Sequence, residues 1–409
     1  MNVPQLRFDG FDGEWESNTI KDLGIIGRGK SKHRPRNDAR LYGTEYPFVQ
    51  TSDIKHAGLY LKNYSQAYSE FGLKQSKLWP KGTLCITIAA NIAETTILDI
   101  EACFPDSIIG FTPDSTKSEV VFIKKYFEFI NPKLQKMSEG IAQSNLNLEK
   151  LASIEFTVPS IQEQKKIATF FTLVEKKVEK QQEKVEKLEQ FKKVMMQKIF
   201  SQEFRFKDEG GGEFPEWEEA ALADLGTTYT GLSGKTKEDF GHGEASFVTY
   251  VNVFNNLKAS IDGLQSVDLS DGKNQNAVGQ GDILFTTSSE TPHEVGMASY
   301  WAFDQNNVFL NSFCFGLRLT SDLINAEFLT YLLRSPIYRA VITLLAQGST
   351  RFNISKTGLM KMKVLIPSSE EQRKIVRVLS QIDTKLDKEQ EKLMVLEEQK
   401  KGFMQGMFL

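Results

Sequence analysis

PSIQEQKKIATFF, at residues 159–171, returns as PSSEEQRKIVRVL at residues 367–379. The similarity continues without a gap to residues 200 and 408, and 18 of the 42 paired positions are identical. A repeat at this spacing is too long for a solenoid, whose units run to roughly 50 residues. The repeat therefore predicts a duplicated module, in which a globular domain is followed by a long helix.

Both repeated segments carry an apolar stripe with alternating spacings of three and four, which is typical of a coiled-coil core. The stripe residues are Ile167, Phe171, Val174, Val178, Val185, Leu188, Met195 and Ile199, and then Ile375, Leu379, Ile382, Leu386, Leu393, Leu396, Phe403 and Met407. Polar residues interrupt the stripes at equivalent places, Gln181 and Lys192, and Glu389 and Lys400. We expect the helices to pair as an antiparallel coiled coil with intramolecular pseudo-two-fold symmetry. The alternative is two ordinary amphipathic helices, each folded onto its own domain.

The two domains that precede the helices also correspond, although more weakly. GEWESNTIKDLG at residues 13–24 resembles PEWEEAALADLG at residues 215–226. Short β-rich runs, among them TLCITIA, VVFI, SFVTYVNVF and DILFTT, alternate with turns rich in Gly, Asn and Asp. We predict an α/β (α+β) fold for each domain. The predicted segments are 1–158 for the first domain, 159–203 for the central helix, 204–366 for the second domain and 367–409 for the C-terminal helix.

Composition argues against several classes of protein. The net charge is −3, and the chain is 40% hydrophobic and 25% charged, which is ordinary for a globular protein. The sequence contains neither a signal peptide nor an apolar run long enough to span a bilayer, so we expect a cytoplasmic protein with no membrane contact. Three cysteines and four histidines lack metal-ligand spacing, and phosphate-binding glycine loops and methyltransferase motifs are absent. We predict a non-catalytic chain without a metal or cofactor of its own.

A basic loop is predicted between residues 28 and 40. Its sequence, RGKSKHRPRNDAR, holds six arginine or lysine residues and one acidic residue, and its Gly, Pro and Asn residues resist a continuous helix. Arginine at this density suits phosphate contact, and one or two side chains could bond O6 and N7 of guanine in a major groove. A solvated loop without a ligand is the alternative. The candidate DNA-binding residues here are Arg28, Lys30, Lys32, Arg34, Arg36 and Arg40.

The equivalent loop of the second domain, GLSGKTKEDFGHG at residues 231–243, is less basic. It supplies Lys235 and Lys237 but also two acidic residues. The next segment, FVTYVNVFNN, is interpreted as a strand whose alternate residues face opposite sides. Its polar side chains could contact base edges, and the candidates there are Thr249, Tyr250 and Asn252.

A tight turn is predicted late in the second domain, in GSTRFNIS at residues 348–355. This turn would present Ser349, Thr350 and Arg351 to a ligand. Capping of the next helix is the alternative role for Asn353 and Ser355.

The order domain, helix, domain, helix resembles the specificity subunit of type I restriction-modification enzymes. The helix starts VPSIQEQKKI and IPSSEEQRKI carry this resemblance, as do the segments GLSGKTKEDFGHGEASFVTYVNVF, GDILFTTSSETPHEVG and AQGSTRFNIS, which resemble target recognition domains. One departure is IAQSNLNLEKL at residues 141–151, which stands where the second domain has its Gly-Ser-Thr turn.

The resemblance implies a sequence-specific reader of double-stranded DNA. Each domain would read one half of a bipartite site, and the paired helices would set the gap. Two methyltransferase subunits would carry S-adenosylmethionine, and two motor-nuclease subunits would add ATP- and Mg-dependent cleavage. The alternatives are a stand-alone DNA-binding regulator and a coiled-coil adaptor that binds proteins or glycans.

Overall fold

A computed structural model of the 409-residue chain describes residues 3–89, 92–139, 147–270, 272 and 274–408. The chain divides into two compact units. The first unit consists of Met1–Glu183 and Gln390–Leu409, and the second of Lys184–Glu389. Each unit therefore combines one globular domain with parts of both repeated helices.

The first unit is built from short strands and a few helices. Its strands are β1 (Glu16–Thr19), β2 (Gly24–Arg28), β3 (Tyr42–Phe48), β4 (Tyr60–Leu61), β5 (Gln66–Tyr68), β6 (Leu78–Trp79), β7 (Leu84–Thr87), β8 (Thr95–Leu98), β9 (Ala102–Cys103), β10 (Ile108–Pro113) and β11 (Glu155–Val158). Its helices are α1 (Ile20–Leu23), α2 (Thr51–His56), α3 (Glu70–Lys74), α4 (Val120–Glu139), α5 (Leu148–Ala152) and the start of α6 (Ile161–Phe200). A 3-10 turn covers Ala39–Leu41.

The strands of the first unit form a five-stranded sheet in the order β2-β10-β7-β8-β4 and a four-stranded sheet in the order β5-β3-β9-β6. β1 pairs separately with β11. Aromatic residues fill much of the core, in which Trp15, Phe122 and Phe156 are almost fully buried. Ile167 and Phe171 of α6 pack into the same core, because the apolar stripe of the helix begins at the domain.

The second unit has a similar, although not identical, order of elements. Its strands are β12 (Glu218–Ala221), β13 (Gly226–Thr230), β14 (Phe240–Val248), β15 (Leu264–Val267), β16 (Ile283–Thr286), β17 (Ser288–Ser289), β18 (Ala298–Tyr300), β19 (Val308–Leu310), β20 (Cys314–Leu319), β21 (Ala346–Gln347), β22 (Phe352–Ile354) and β23 (Lys363–Ile366). Its helices are α7 (Leu222–Leu225), α8 (Tyr250–Asn255), α9 (Ala326–Arg334), α10 (Pro336–Leu344), α11 (Lys356–Met360) and α12 (Ser369–Met407), with 3-10 turns at Lys237–Asp239 and Pro292–Glu294.

The sheets of the second unit follow the orders β13-β20-β16-β18, β15-β14-β19 and β17-β22-β21, while β12 pairs with β23. Phe328, Leu332 and Ile342 lie in its main apolar core. Ile375 and Leu379 of α12 enter this core, as the equivalent residues of α6 do in the first unit. Both long helices predicted from the repeat are thus confirmed, together with a mixed α and β fold.

A repeated glutamine anchors the start of each long helix. In the first unit, the Gln164 side chain accepts a hydrogen bond from the Glu119 N–H at 3.0 Å and donates to the carbonyls of Lys117 and Pro159, both at 2.9 Å. In the second unit, Gln372 accepts from Asn325 at 2.8 Å and donates to Leu323 and Pro367. These buried polar contacts explain why glutamine recurs at this position of the repeat.

A repeated glutamate makes a second anchor beside the first. Arg7 donates to Glu163 at 2.9 and 2.8 Å, and Arg205 donates to Glu371 at 3.3 and 2.9 Å. The side chains of Glu163 and Glu371 are only 2% and 1% exposed. Loss of one partner would leave a buried unpaired charge, which typically costs about 3–5 kcal/mol. Each pair therefore fixes its domain to the helix that follows.

Ion pairs link the two long helices within each unit. In the second unit, Lys184 contacts Glu389 at 2.8 Å and Lys192 contacts Asp383 at 2.5 Å. In the first unit, Lys400 contacts Glu175 at 2.7 Å. Three of the four polar interruptions of the stripes, Lys192, Glu389 and Lys400, therefore hold an ion pair between the helices.

One segment interpreted as a strand is helical, and a second is helical in its later part. VVFI, at residues 120–123, opens α4, because a four-residue apolar run carries no periodicity that separates a strand from a buried helix. In FVTYVNVFNN the strand ends at Val248 and α8 begins at Tyr250. Thr249 causes this change, since its side chain accepts a hydrogen bond from the Asn252 N–H and caps the helix.

Candidate nucleic-acid interface

The basic loop of the first unit joins β2 to β3 and has a fixed backbone. The Lys30 N–H donates to the Phe104 carbonyl at 3.0 Å, and the Lys32 N–H donates to the Gln75 carbonyl at 3.1 Å. Gly29 is required between the strand and the loop, because a Cβ there would lie 2.3 Å from the Phe104 carbonyl oxygen. The six predicted basic residues are all exposed. The loop therefore presents exposed cationic side chains from an anchored main chain.

Some of the basic side chains of this loop form ion pairs with aspartates. Asp38 contacts both Arg40 and His33 at 2.7 Å, and Arg36 contacts Asp106 at 2.9 Å. Hydrogen bonds from Arg40, and then from His33, hold the pKa of Asp38 well below its ordinary value. These pairs are accessible to water, so a phosphate could compete for either arginine.

The remaining basic residues of the loop are less constrained. The Arg34 guanidinium donates to the Ser31 and His33 carbonyls at 2.7 and 2.8 Å. Within the described part of the chain, Arg28, Lys30 and Lys32 form no ion pair with a protein carboxylate. These four residues are the ones that could contact a polyanion without first breaking an ion pair.

Lys77 adds a positive charge that the sequence did not single out. Its ammonium lies 3.4 Å from the centroid of the Trp79 ring. Burial, and then the nearby charge of Lys30, lower the pKa of Lys77. Lys77 and Lys30 thus concentrate positive charge at one place, although they lie far apart in the sequence.

The corresponding loop of the second unit presents less charge than predicted. The Lys235 side chain is only 2% exposed and lies 4.0 Å from Asp239. Lys235 is therefore not available for a ligand in this conformation, which corrects its assignment as a DNA-binding residue. Lys237, in the 3-10 turn that follows, is exposed and stays a candidate.

The three candidates after β14 have separate roles. Asn252 is 4% exposed, and its side chain donates to the Ser260 carbonyl at 2.8 Å and accepts from the Ser260 N–H at 2.9 Å. The prediction that Asn252 contacts base edges is therefore wrong. Thr249 is occupied as the cap of α8. Tyr250 is half-buried, and its hydroxyl donates to the Ser288 carbonyl at 2.6 Å.

The predicted Gly-Ser-Thr turn is confirmed between β21 and β22. Gly348 has a φ of 123°, which favours glycine at this position. Ser349, Thr350 and Arg351 are exposed. Ser355 caps α11 by accepting from the Gly358 N–H at 3.3 Å. Its structural role is thus confirmed, whereas Asn353 lies on β22 instead of capping the helix.

The structure brings this turn beside the segment SSETPHE. β17 pairs with β22, so that Ser288 lies opposite Asn353 and Ser289 opposite Phe352. Tyr250 joins the group through its bond to the Ser288 carbonyl. Tyr250 is therefore linked through β17 to β22, the strand that follows the Ser349–Arg351 turn. The equivalent segment of the first unit, residues 140–146, lies outside the described residues.

Sequence reasoning missed Phe313, which lies next to this turn. The Arg351 guanidinium carbon is 5.8 Å from the centroid of the Phe313 ring, and Phe313 is 55% exposed. An apolar residue directly before the β-rich run CFGLRL is naturally taken for core. No feature of the sequence distinguishes it from the buried aromatic residues nearby.

The residues that the structure describes contain neither a candidate membrane-spanning helix nor a candidate metal site. No helix among them is long and apolar enough to cross a membrane. Among the same residues, no three His, Cys, Asp or Glu side chains are grouped in a way that could hold a metal ion.

Comparison with known families assigns the class of the protein. The type I restriction modification DNA specificity domain matches residues 12–190 and again residues 215–398. These two segments cover most of the chain and follow its two tandem domains with much of their helices. The chain belongs to this family of type I restriction-modification specificity domains.

Individual relatives agree with this class. The type I restriction enzyme MjaIX specificity subunit of Methanocaldococcus jannaschii is 24% identical over 405 residues, which span 94% of this chain and 90% of that protein. The putative MjaX specificity subunit of the same organism is 28% identical over 217 residues, or 51% of this chain and 49% of that protein.

Solved structures share the fold. The S subunit of a type I restriction-modification system from M. genitalium superimposes with a TM-score of 0.60 at 15% identity, covering 100% of this chain and 99% of that chain. A chain from a study of complex assembly and conformational transition of the type I R-M system gives a TM-score of 0.58 at 15% identity, with 95% and 96% coverage. At these identities the likeness concerns the fold.

Proposed function

We propose that this chain is the DNA recognition subunit of a type I restriction-modification complex and that each domain reads one half of a bipartite site. The observation that carries the proposal is a contrast between the two units. Their anchors to the long helices are the same, as Gln164 and Gln372 illustrate, whereas their exposed loops differ in chemistry. Two domains that are attached to the helices in the same way but expose different loops are what the reading of two different half-sites would require.

The two domains would approach DNA with different groups. The first offers a basic loop, suited to phosphates and to the O6 and N7 acceptors of guanine. The second offers hydroxyls and one arginine at the Ser349–Arg351 turn, together with Lys237. Because the whole chain has a net charge of −3, partner subunits would supply much of the salt-sensitive attraction to the duplex.

The long helices would form an antiparallel coiled coil that sets the gap between the half-sites and docks two methyltransferase subunits. The ion pairs Lys192–Asp383 and Lys400–Glu175 support this pairing, because they join equivalent positions of the repeat. The same correspondence supports a pseudo-two-fold relation within the chain.

Catalysis would belong to the partner subunits. Two methyltransferase subunits would bind S-adenosylmethionine, and two motor-nuclease subunits would use ATP and Mg. This chain would contribute the choice of sequence. Its cysteines fit a passive role, since burial raises the pKa of the Cys85 and Cys314 thiols and so disfavours the reactive thiolate.

Co-expression with the neighbouring methyltransferase subunit tests the proposal. N6-methyladenine would be mapped across the host genome by single-molecule sequencing, with and without this chain. We expect a bipartite motif that appears only when the chain is present. Methylation that does not change, despite recovery of a folded complex of the two proteins, would contradict the proposal.

A further inference from the structure

Phe313 is an exposed aromatic residue on a fixed backbone. It lies between β19 and β20 and is 55% exposed. Its N–H donates to the Asn311 side chain at 2.9 Å. Its carbonyl accepts from the Thr287 N–H at 2.9 Å and from the Thr287 hydroxyl at 2.7 Å. The main chain is thus held on both sides of a ring that projects into solvent.

The ring of Phe313 lies beside the Ser349–Arg351 turn, which belongs to the candidate interface. The Arg351 guanidinium carbon lies 5.8 Å from the ring centroid, and Arg351 ends the exposed Ser349–Arg351 turn. Thr287, which holds the Phe313 carbonyl, also accepts a hydrogen bond from the Ile354 N–H at 2.9 Å through its own carbonyl. The support of Phe313 is therefore tied to the strand that follows the turn.

The first unit has a small polar residue at the equivalent place. There the Ile88 N–H donates to the Ser107 carbonyl at 3.0 Å, as the Thr287 N–H does to Phe313. Ser107 precedes β10 directly, and Phe313 precedes β20 directly. This backbone position accepts serine in one domain, so the fold itself does not require a phenyl group. The aromatic ring is particular to the second domain.

We propose that Phe313 is a specificity-determining residue that contacts the C5-methyl group of a thymine in the half-site read by the second domain. This inference rests on the proposed function. The thymine methyl is the apolar group that a major groove exposes, and a phenylalanine side chain is suited to meet it. Arg351 beside the ring would take a neighbouring guanine or phosphate. The pair would thus combine one apolar and one cationic contact at adjacent positions.

The test uses the complex of this chain with its methyltransferase subunit. Phe313→Ser installs the residue of the first domain, while Phe313→Leu keeps an apolar side chain. Leu344→Ser is the matched control, because Leu344 is 85% exposed in the same unit and lies outside the turn. Methylation motifs would be mapped first for the original chain and the three variants. Binding would then be measured on duplexes in which each thymine of the affected half-site is replaced by deoxyuridine.

For Phe313→Ser we expect relaxed specificity at one base pair of one half-site and about fivefold weaker binding, the order of one buried methyl contact. Deoxyuridine at that position should weaken binding by the complex with the original chain as much as Phe313→Ser does. It should cause no further loss in the Phe313→Ser complex. Phe313→Leu should retain part of the discrimination, and Leu344→Ser all of it. The inference would be overturned if the Phe313→Ser complex methylated the original motif. It would also be overturned if no deoxyuridine substitution weakened binding by the complex with the original chain. The proposed function itself fails only if the chain directs no motif at all.

Discussion

Arg351 and Lys235 are both cations in loops, yet the structure gives them opposite surroundings. Arg351 is exposed at a turn that the sequence GSTR predicts well, because glycine there adopts a positive φ. Lys235 sits in an equally polar sequence, but its side chain is 2% exposed. Local sequence identifies a turn, whereas burial of one side chain depends on strands that are distant in the chain. For this reason Lys235 and Asn252 could not be excluded from the sequence.

Arg351→Ala should remove recognition of the second half-site alone. The side chain is exposed and has no carboxylate partner among the residues that the structure describes, so its loss should not unfold the domain. A contact from arginine to guanine contributes about 1–3 kcal/mol of discrimination. Motif mapping of the variant complex would check this. Equal loss at both half-sites would indicate a folding defect instead.

Lys237→Ala and Lys235→Ala should differ in their effects on DNA binding. Lys237 is exposed, and if it contacts a phosphate, its loss should reduce the slope of log affinity against log salt by about 1. Lys235→Ala should leave that slope unchanged, because its ammonium is buried near Asp239. Titrations of the methyltransferase complex at several salt concentrations would decide. Equal slopes for the two variants would contradict this assignment.

Helix α4 contacts α6 of the first unit through buried charges. Lys125 is fully buried and contacts Glu128 at 2.7 Å and also Glu175 of α6. Glu128 further accepts from Lys124. Burial alone would raise the pKa of Glu128, but Lys124 and Lys125 lower it to about 2. In the second unit a tyrosine takes part instead, since the Tyr331 hydroxyl donates to Asp383 of α12 at 2.6 Å. The sequence predicted the long helices α6 and α12, but it predicted neither α4 nor this difference between the two units.

Glu128→Gln should therefore destabilise the first unit in a pH-dependent manner. The pKa of Glu128 is lowered from 4.5 to about 2 on folding, so its stabilisation is present above pH 4.5 and is lost as the pH falls toward 2. The difference corresponds to about 3 kcal/mol at neutral pH. Urea unfolding at pH 7, 5 and 3 should show the variant and the original protein converging in acid.

Glu70→Gln provides the control for this experiment. Glu70 lies 3.8 Å from Lys74 in an exposed pair of the same unit, with side chains 78% and 69% exposed. Such pairs contribute little to stability, so the variant should follow the original protein at every pH. A Glu128→Gln deficit that stays constant from pH 7 to pH 3 would contradict the linkage.

Most of what could be predicted about the whole chain came from the 42-residue repeat. It indicated the two helices and the tandem order, because core positions such as Ile167 and Ile375 recur at a fixed spacing. In the sequence, the glutamine and glutamate anchors are only identical residues at paired positions. Their roles depend on distant partners, among them Arg7 and Arg205, which only the structure identifies. The burial and pairing of the loop side chains could not be predicted in the same way, because the two copies of each loop differ in sequence.

Insertions into the long helices test whether they set the gap in the DNA site. Four residues would be added after Glu183 in α6 and four after Glu391 in α12, so that the ion pairs on either side keep their partners. The added length is about 6 Å, which corresponds to about two base pairs at 3.4 Å each. We expect a motif with unchanged half-sites and a longer gap. Altered half-sites with an unchanged gap would contradict the role of the helices.

The ion pairs between the long helices also bear on how such a chain could arise. Each helix carries an acid and a base at equivalent positions, Glu175 and Lys192 in α6, and Asp383 and Lys400 in α12. An ancestral gene that encoded one domain and one helix would already contain both members of the pair. Two copies of its product could associate antiparallel, and fusion of the genes would preserve that complementarity. The domains could then diverge independently, because the residues that join the helices do not lie in the surfaces that would read DNA.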